Sequence, residues 1–447
     1  MNKFIAFFVA IGKWFKNVGI AIGKWFKNWF VSVDGKAIIP VRIGRWIKSL
    51  FVKTDDVVEP RLKTLVKSNG FESVSASVLA ALSGILFGFI IMLIVTPSTS
   101  FSALGMLLLG GLNNGWTGVG DVLYYATPLI LTGLSVGFAF KTGLFNIGAS
   151  GQYTMGMFCS MLAAQSLKNV VTSNFLWVIC ILAGILGGMI WGAIPGLFKA
   201  FLGVNEVIVC IMTNYIGMYL VDMIIKNSEG FLYDKTYNWT MTMPSNSDLP
   251  KFLLDKIFPG TYANFGIIIA ILAAVAIHVM LTKTKLGYEI KACGANKDAS
   301  TYAGINANKN IVLAMVIAGA LSGLAGAVQQ QAGLQGRYSP VNVIQSEGFN
   351  GIAVALLGTS NPIGIIFAGI FFAHIKQGGF FMQILGVKNE IIDIIIGATI
   401  YFAGFAMIFR ELLKKITKRK AASKNNGGGG NPDSQAATEN TSTKEAI

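Results

Sequence analysis

Charge is what this chain lacks first. Only 13% of its 447 residues are Asp, Glu, Lys or Arg, about half the share usual in a soluble domain. Histidine occurs twice, as His278 and His374, each at the end of an apolar run, where a core or interface role suits it better than metal ligation. Four cysteines, Cys159, Cys180, Cys210 and Cys293, stand far apart with no CxxC spacing. Neither a disulfide framework nor a metal site is implied. No glycine-rich loop ending in Gly-Lys-Ser or Gly-Lys-Thr is present, so nothing here should hydrolyse ATP by itself. A membrane-embedded enzyme would need a clustered nucleophile, a metal set or paired acids, and the sequence offers none. A secondary transporter driven by an ion gradient would want buried acids in mid-span, and Glu206, Asp222 and Asp393 all fall near the ends of apolar runs.

What the chain has is apolar length. Hydrophobic residues make up 53% and the mean hydropathy is +0.60, the profile of an integral membrane protein. The formal net charge is +15, concentrated at the ends. Residues 1–70 hold 13 Lys or Arg against 4 acids, and "RELLKKITKRK" (410–420) holds six bases and one acid. Basic flanks of apolar runs mark cytoplasmic ends and contact with anionic lipid rather than nucleic acid.

The first 30 residues repeat "IGKWFKN" at 11–17 and 22–28. An offset of eleven keeps both copies on one helical face. Ile11, Trp14, Phe15, Val18, Ile22, Trp25, Phe26 and Trp29 form an apolar stripe, opposite Lys13, Lys16, Lys24 and Lys27. The pattern predicts a basic amphipathic helix lying in the membrane interface. A cleaved signal peptide fits less well, because lysines interrupt the run and no small-residue cleavage site comes after it.

Nine runs are long enough to span a bilayer: 78–96, 122–140, 145–165, 175–198, 205–225, 265–281, 311–331, 348–375 and 390–409. The apolar stretch 101–112 is too short to count. Two basic termini on one side require an even number of crossings. The longest run carries "GTSNPIG" (358–364), where Pro362 and two glycines interrupt a helix. Splitting it predicts an all-α bundle of about ten helical segments, with the break facing the bundle interior. The expected organisation is a basic extension over 1–70, a membrane domain over 71–412, and a basic then disordered cytoplasmic tail over 413–447. Loop 226–264 falls outside the cell, and the more basic loop 282–310 inside.

Three motifs carry polar chemistry. "KTGLFNIGASGQYTMG" (141–156) begins at Lys141 and brings glycines for a tight turn and the amides of Asn146 and Gln152 near a helix start. It reads either as small-residue helix packing or as a polar turn lining a solute path. "NEVIVCIMTNYIGMYL" (205–220) places Asn214 mid-helix, as interhelical glue or as pathway lining. In "GYEIKACGANKDASTYAGINANKN" (287–310), Asn296 can cap a short helix over 297–303 closed by Gly304. That segment is either a plain connection or a knob for a cytoplasmic partner.

With these residues in view the chain resembles permease subunits of bacterial ABC importers, the binding-protein-dependent group that includes ribose, branched-chain amino acid and nucleoside permeases, and above all nucleoside permeases of Gram-positive bacteria. The resemblance runs in order through "ATPLILTGLSVGFAFKTGLFNIGASGQ" (126–152), "GAIPGLFKA" (192–200), "NEVIVCIMTNYI" (205–216), "GYEIKACGANKDASTYAGIN" (287–306), "AGALSGLAGA" (318–327), "GFNGIAVALLGTSNPIGIIFA" (348–368) and "EIIDIIIGATI" (390–400). It implies nucleoside uptake by alternating access, with ribose or another simple sugar, or an ion-coupled secondary transporter, as alternatives. The implied partners are a second permease subunit, a cytoplasmic ATPase that binds the ATP, and an external substrate-binding lipoprotein. No cofactor in this chain and no nucleic acid are implied. Under this reading Asn146, Gln152, Asn214 and Tyr215 line the solute path. Glu289, Gly294, Asn296, Tyr302 and Gly304 form the coupling helix seated on the ATPase. The 1–70 extension departs from the group, and "GLQGRYSPVNVIQSE" (333–347) is individual enough that no solute contacts carry over to it.

Overall fold

A computed structural model of the chain describes residues 69–411, apart from 172, 174, 333–335, 406, 407, 409 and 410. The expected interfacial helix near the N-terminus and the C-terminal tail lie outside the described residues. The helices are α1 (Asn69–Val95), α2 (Ser100–Leu109), α3 (Gly115–Lys141), α4 (Ala149–Leu167), α5 (Leu176–Leu202), α6 (Glu206–Lys226), α7 (Leu254–Ile257), α8 (Gly266–Lys283), α9 (Lys285–Ala295), α10 (Lys297–Tyr302), α11 (Ala307–Gln330), α12 (Ser346–Leu357), α13 (Pro362–Met382) and α14 (Asn389–Gly404). A small hairpin pairs β1 (Tyr233–Asp234) with β2 (Trp239–Thr240), Tyr233 opposite Thr240. Among the described residues seven helical stretches are long and apolar enough to cross a membrane: 76–95, 100–141, 176–202, 206–226, 266–283, 307–330 and 362–385. The described residues from Glu72 onward belong to one compact unit.

The centre of the bundle is packed through backbone. In α5 and α11, a Cβ on Gly188 would sit 2.2 Å from the Gly319 carbonyl oxygen, and one on Gly323 would sit 2.4 Å from that of Gly184. Between α4 and α11, a Cβ on Gly156 would lie 2.3 Å from the Gly323 Cα. Lipid gives helices no hydrophobic reason to associate, so close van der Waals approach through small residues takes over. That is the physical content of the "AGALSGLAGA" stretch.

Three elements differ locally from their expected form. The run expected as one helix over 145–165 starts only at Ala149, because residues 142–148 form an irregular turn instead. The stretch set aside as too short, 101–112, is helical as α2 plus a tight turn over Gly110–Asn114. It packs on α13, where His374 Nε2 lies 3.0 Å from the Leu108 carbonyl oxygen. The break at "GTSNPIG" is real, and α12 and α13 form a hairpin around it. Asn361 caps α13 by accepting from the Ile363 N–H at 3.0 Å, with Pro362 in the first turn.

The hairpin turn does not point wholly inward as expected. Gly358 and Pro362 are buried, whereas Thr359 and Asn361 are exposed. Ser77 Oγ donates to the Leu357 carbonyl at 2.6 Å, so the turn sits at the bundle end where α1 begins. The reason is length. α12 has 12 residues, about 18 Å of helix, so it reaches that end only by starting deep inside the bundle.

Candidate functional site

The turn after α3 is a closed network of amides. Lys141 ends α3, and Gly143 takes φ +72°, the left-handed region open to glycine. The chain then climbs back into the bundle before α4 begins. Asn146 and Gln152 exchange two side-chain hydrogen bonds, Nδ2 to Oε1 at 2.9 Å and Nε2 to Oδ1 at 3.0 Å. Asn146 Nδ2 also donates to Ser135 Oγ at 3.1 Å. From α6, Asn214 Oδ1 accepts the Gly151 N–H at 2.8 Å, and its Nδ2 donates to the Ile147 carbonyl at 3.0 Å. All three amides are buried. Of the residues expected to line a path, these three come together with their polar groups turned on one another. Tyr215 is not part of the cluster and is 48% exposed. Breaking one partner of such a buried bond costs about 1–3 kcal/mol, because the other is left without a mate.

A second polar cluster lies deeper along the bundle, and it is charged. Glu347 at the start of α12 faces Lys376 on α13, oxygen to ammonium 3.8 Å. The Glu347 backbone carbonyl accepts from Thr132 Oγ1 at 3.0 Å. Thr132 stands nine residues before Lys141, about 14 Å up the helix, so the acid sits at mid-depth. The Lys376 ammonium lies 5.3 Å from the centroid of the Tyr125 ring, a cation–π distance. Beside it, Gln329 Nε2 donates to the Tyr124 hydroxyl at 2.6 Å. Side-chain exposure of 21% for Glu347 and 42% for Lys376 leaves both open to one side. Reading the sequence for acids in mid-span missed this pair. Glu347 and Lys376 flank the run 348–375, beyond both ends of the apolar stretch searched for acids. On one continuous helix their separation of 29 positions would span about 43 Å. The turn over 358–361 folds the run back and brings its ends together. The signal was "GTSNPIG": a break that reverses the chain also brings its flanks together.

At one end of the bundle α9 and α10 form an elbow. Asn296 caps α10, accepting from the Ala299 N–H at 2.9 Å, and Gly304 comes just after the helix with φ +80°. The sequence predicts both this cap and this glycine. Tyr302 is 94% exposed. Glu289 pairs with Lys285 at 3.6 Å and accepts from Asn310 Nδ2 at 3.2 Å, which ties α9 to α11. Gly294 rests on the end of α3: a Cβ there would lie 2.2 Å from the Lys141 carbonyl oxygen, and one on Gly143 would lie 3.2 Å from that of Gly294. The elbow and the amide turn therefore touch backbone to backbone, with no compliant side chain between them.

At the opposite end the hairpin and the segment before α12 are latched together. Buried Asp222 accepts from the Tyr338 hydroxyl at 2.6 Å and from the Asn342 N–H at 2.7 Å. The Thr240 N–H donates to the Tyr338 carbonyl at 2.8 Å. Nearby, burial pushes the Asp248 carboxyl up to about 6. Among the described residues no group of three His, Cys, Asp or Glu is placed to hold a metal ion.

A family model for the permease component of branched-chain amino acid transport systems matches residues 118–404. The nucleoside ABC transporter permease protein NupB of Lactococcus lactis is 37% identical over 79% of this chain and 97% of its own length. The guanosine ABC transporter permease protein NupP of Bacillus subtilis is 35% identical over 77% and 96%. A second Lactococcus lactis protein, the nucleoside ABC transporter permease protein NupC, is 27% identical over 61% and 84%. No solved structure matches the chain.

Proposed function

Because this chain belongs to the permease family of branched-chain amino acid transport systems, we propose that it is the transmembrane permease subunit of an ATP-driven importer of nucleosides. It is a multi-pass membrane protein and not an enzyme: ATP is hydrolysed on a separate subunit. The nucleoside reading rests on NupB and NupP, each more than a third identical over nearly its whole length. A permease for simple sugars is the weaker reading beside them. A second permease subunit is supported by Lactococcus lactis having two relatives of this chain, NupB and NupC, both named for nucleosides.

The observation that carries the mechanism is the backbone contact between Gly294 and the Lys141 carbonyl. An exposed, capped elbow is what an ATPase can grip, and rigid contact is what passes a displacement on. We place the elbow end and both termini in the cytoplasm, the hairpin end outside, and ten helical segments, α1, α3–α6, α8 and α11–α14, in the bundle of the 71–412 domain. Glu289, Gly294, Asn296, Tyr302 and Gly304 then serve coupling, with Tyr302 against the ATPase. Movement of Gly294 would reach Gly143, then the Asn146–Gln152 pair, then Asn214 and the start of α12. Asn146, Gln152 and Asn214 serve the path as its frame. The repeat in residues 1–30 supports a lipid-facing anchor on the anionic inner leaflet.

The test is reconstitution in proteoliposomes with the second permease, the ATPase and the binding lipoprotein. ATP-dependent uptake of labelled guanosine is expected. Uptake without ATP, driven by an ion gradient, would overturn the reading, as would uptake of ribose or glucose with none of nucleosides.

A further inference from the structure

We propose that Glu347 and Lys376 form the solute-recognition element of the path, and that what they recognise is the vicinal diol of a neutral ribose. The assignment rests on the nucleoside reading above. Ionised groups at mid-depth are costly unless they pair or face water. This pair does both incompletely. The separation of 3.8 Å is longer than a charge-assisted hydrogen bond of about 2.7–2.9 Å. The hydroxyl of the adjacent Ser346 reaches the carboxylate only at a slack 3.4 Å. Both groups thus keep hydrogen-bonding capacity on the open side of the bundle. That side cannot face hydrocarbon, so it faces an aqueous path or a partner subunit across one.

The chemistry of the pair selects its ligand. A carboxylate only accepts, and an ammonium only donates. A hydroxyl does both. Two neighbouring hydroxyls therefore bridge the pair, one donating to Glu347 and the other accepting from Lys376. The pair is neutral as a whole, so a neutral solute leaves no charge unmatched, whereas a nucleoside phosphate would compete for Lys376 and leave Glu347 facing an anion. Beside the pair, the Tyr125 ring under Lys376 supplies aromatic surface for the base. The fold also links the pair to the amide turn. Glu347 starts α12 where α12 packs on the first turn of α4, next to the amide turn, with Gly348 so close to Ser150 that a Cβ would lie 2.3 Å from its backbone nitrogen. A shift of the amide turn moves the carboxylate relative to Lys376.

The experiment uses the reconstituted transporter with saturating loaded binding lipoprotein, comparing labelled guanosine with 2′-deoxyguanosine in the wild type, Glu347→Gln and Lys376→Met. The wild type should favour guanosine. Glu347→Gln should lower guanosine uptake about tenfold, the scale of a lost charged hydrogen bond, and leave the deoxy compound little changed, so that the two converge. Lys376→Arg should keep the preference. Equal losses for both solutes would mean that the pair merely braces the α12–α13 hairpin and would overturn the proposal. Unaltered preference in both variants would do the same. Should Glu347→Gln fail to assemble, Lys376→Met alone decides on the same ratio. No guanosine uptake by the wild type would instead bring down the nucleoside reading, and this assignment with it.

Discussion

The amide cluster and the Glu347–Lys376 pair stand near each other in the membrane, on facing elements, and they are built in opposite ways. Asn146, Gln152 and Asn214 are neutral, buried, and bonded to one another or to backbone. Glu347 and Lys376 are charged, partly exposed and loosely joined. A closed neutral network fixes a shape, because any opening strands a polar group away from water. An open charged pair fixes little, since its members keep partners in solvent. The first is suited to transmitting a movement and the second to responding to a ligand.

Substitutions can break that contrast. The largest effect is expected at Asn146. Asn146→Leu strands both ends of the Gln152 amide and should lower stability by about 3 kcal/mol, seen as an early thermal transition in detergent. The pair Asn146→Leu with Gln152→Leu should cost less than the sum of the singles, by roughly 1–2 kcal/mol of coupling. Strict additivity would show that the two amides do not act as a unit. Asp248, in the loop between the hairpin and α7, should show on the order of 1 kcal/mol, once its half-buried position is discounted for screening. Its folded form holds a proton more tightly than the unfolded chain, so stability falls as pH rises from about 4 to 6. Asp248→Asn should flatten that slope in a pH series of melts. Smaller still is the thermal effect of Glu347→Gln, under about 1 kcal/mol for a partly exposed pair. The smallest belongs to Tyr302→Ala, which should leave the melt untouched yet weaken ATPase co-purification and solute-dependent hydrolysis. A stability loss there would show that the ring packs within this chain.

Much of the site could be read locally. Asn296 as a cap, Gly304 after α10, and the break before Pro362 each depend on a few adjacent residues. A cap or a left-handed turn is decided within a few residues of the chain, so the residue types announce it. The four-residue delay before α4 was less legible. A glycine and an amide mark a turn, and only the packing of Gly143 on Gly294 says how far the turn runs.

By itself, the sequence determined that this is an apolar helical bundle with a capped short helix between α8 and α11 and an interrupted run before α14. Its apolar lengths, end charges and turn residues act over short range. Tertiary structure alone decided which polar groups would face each other. An Asn that glues helices and one that lines a path need the same residue type at the same depth, so composition cannot separate them. Glu347 and Lys376 are 29 positions apart, and only the reversal of the chain at the hairpin turn sets two ends of one apolar run side by side.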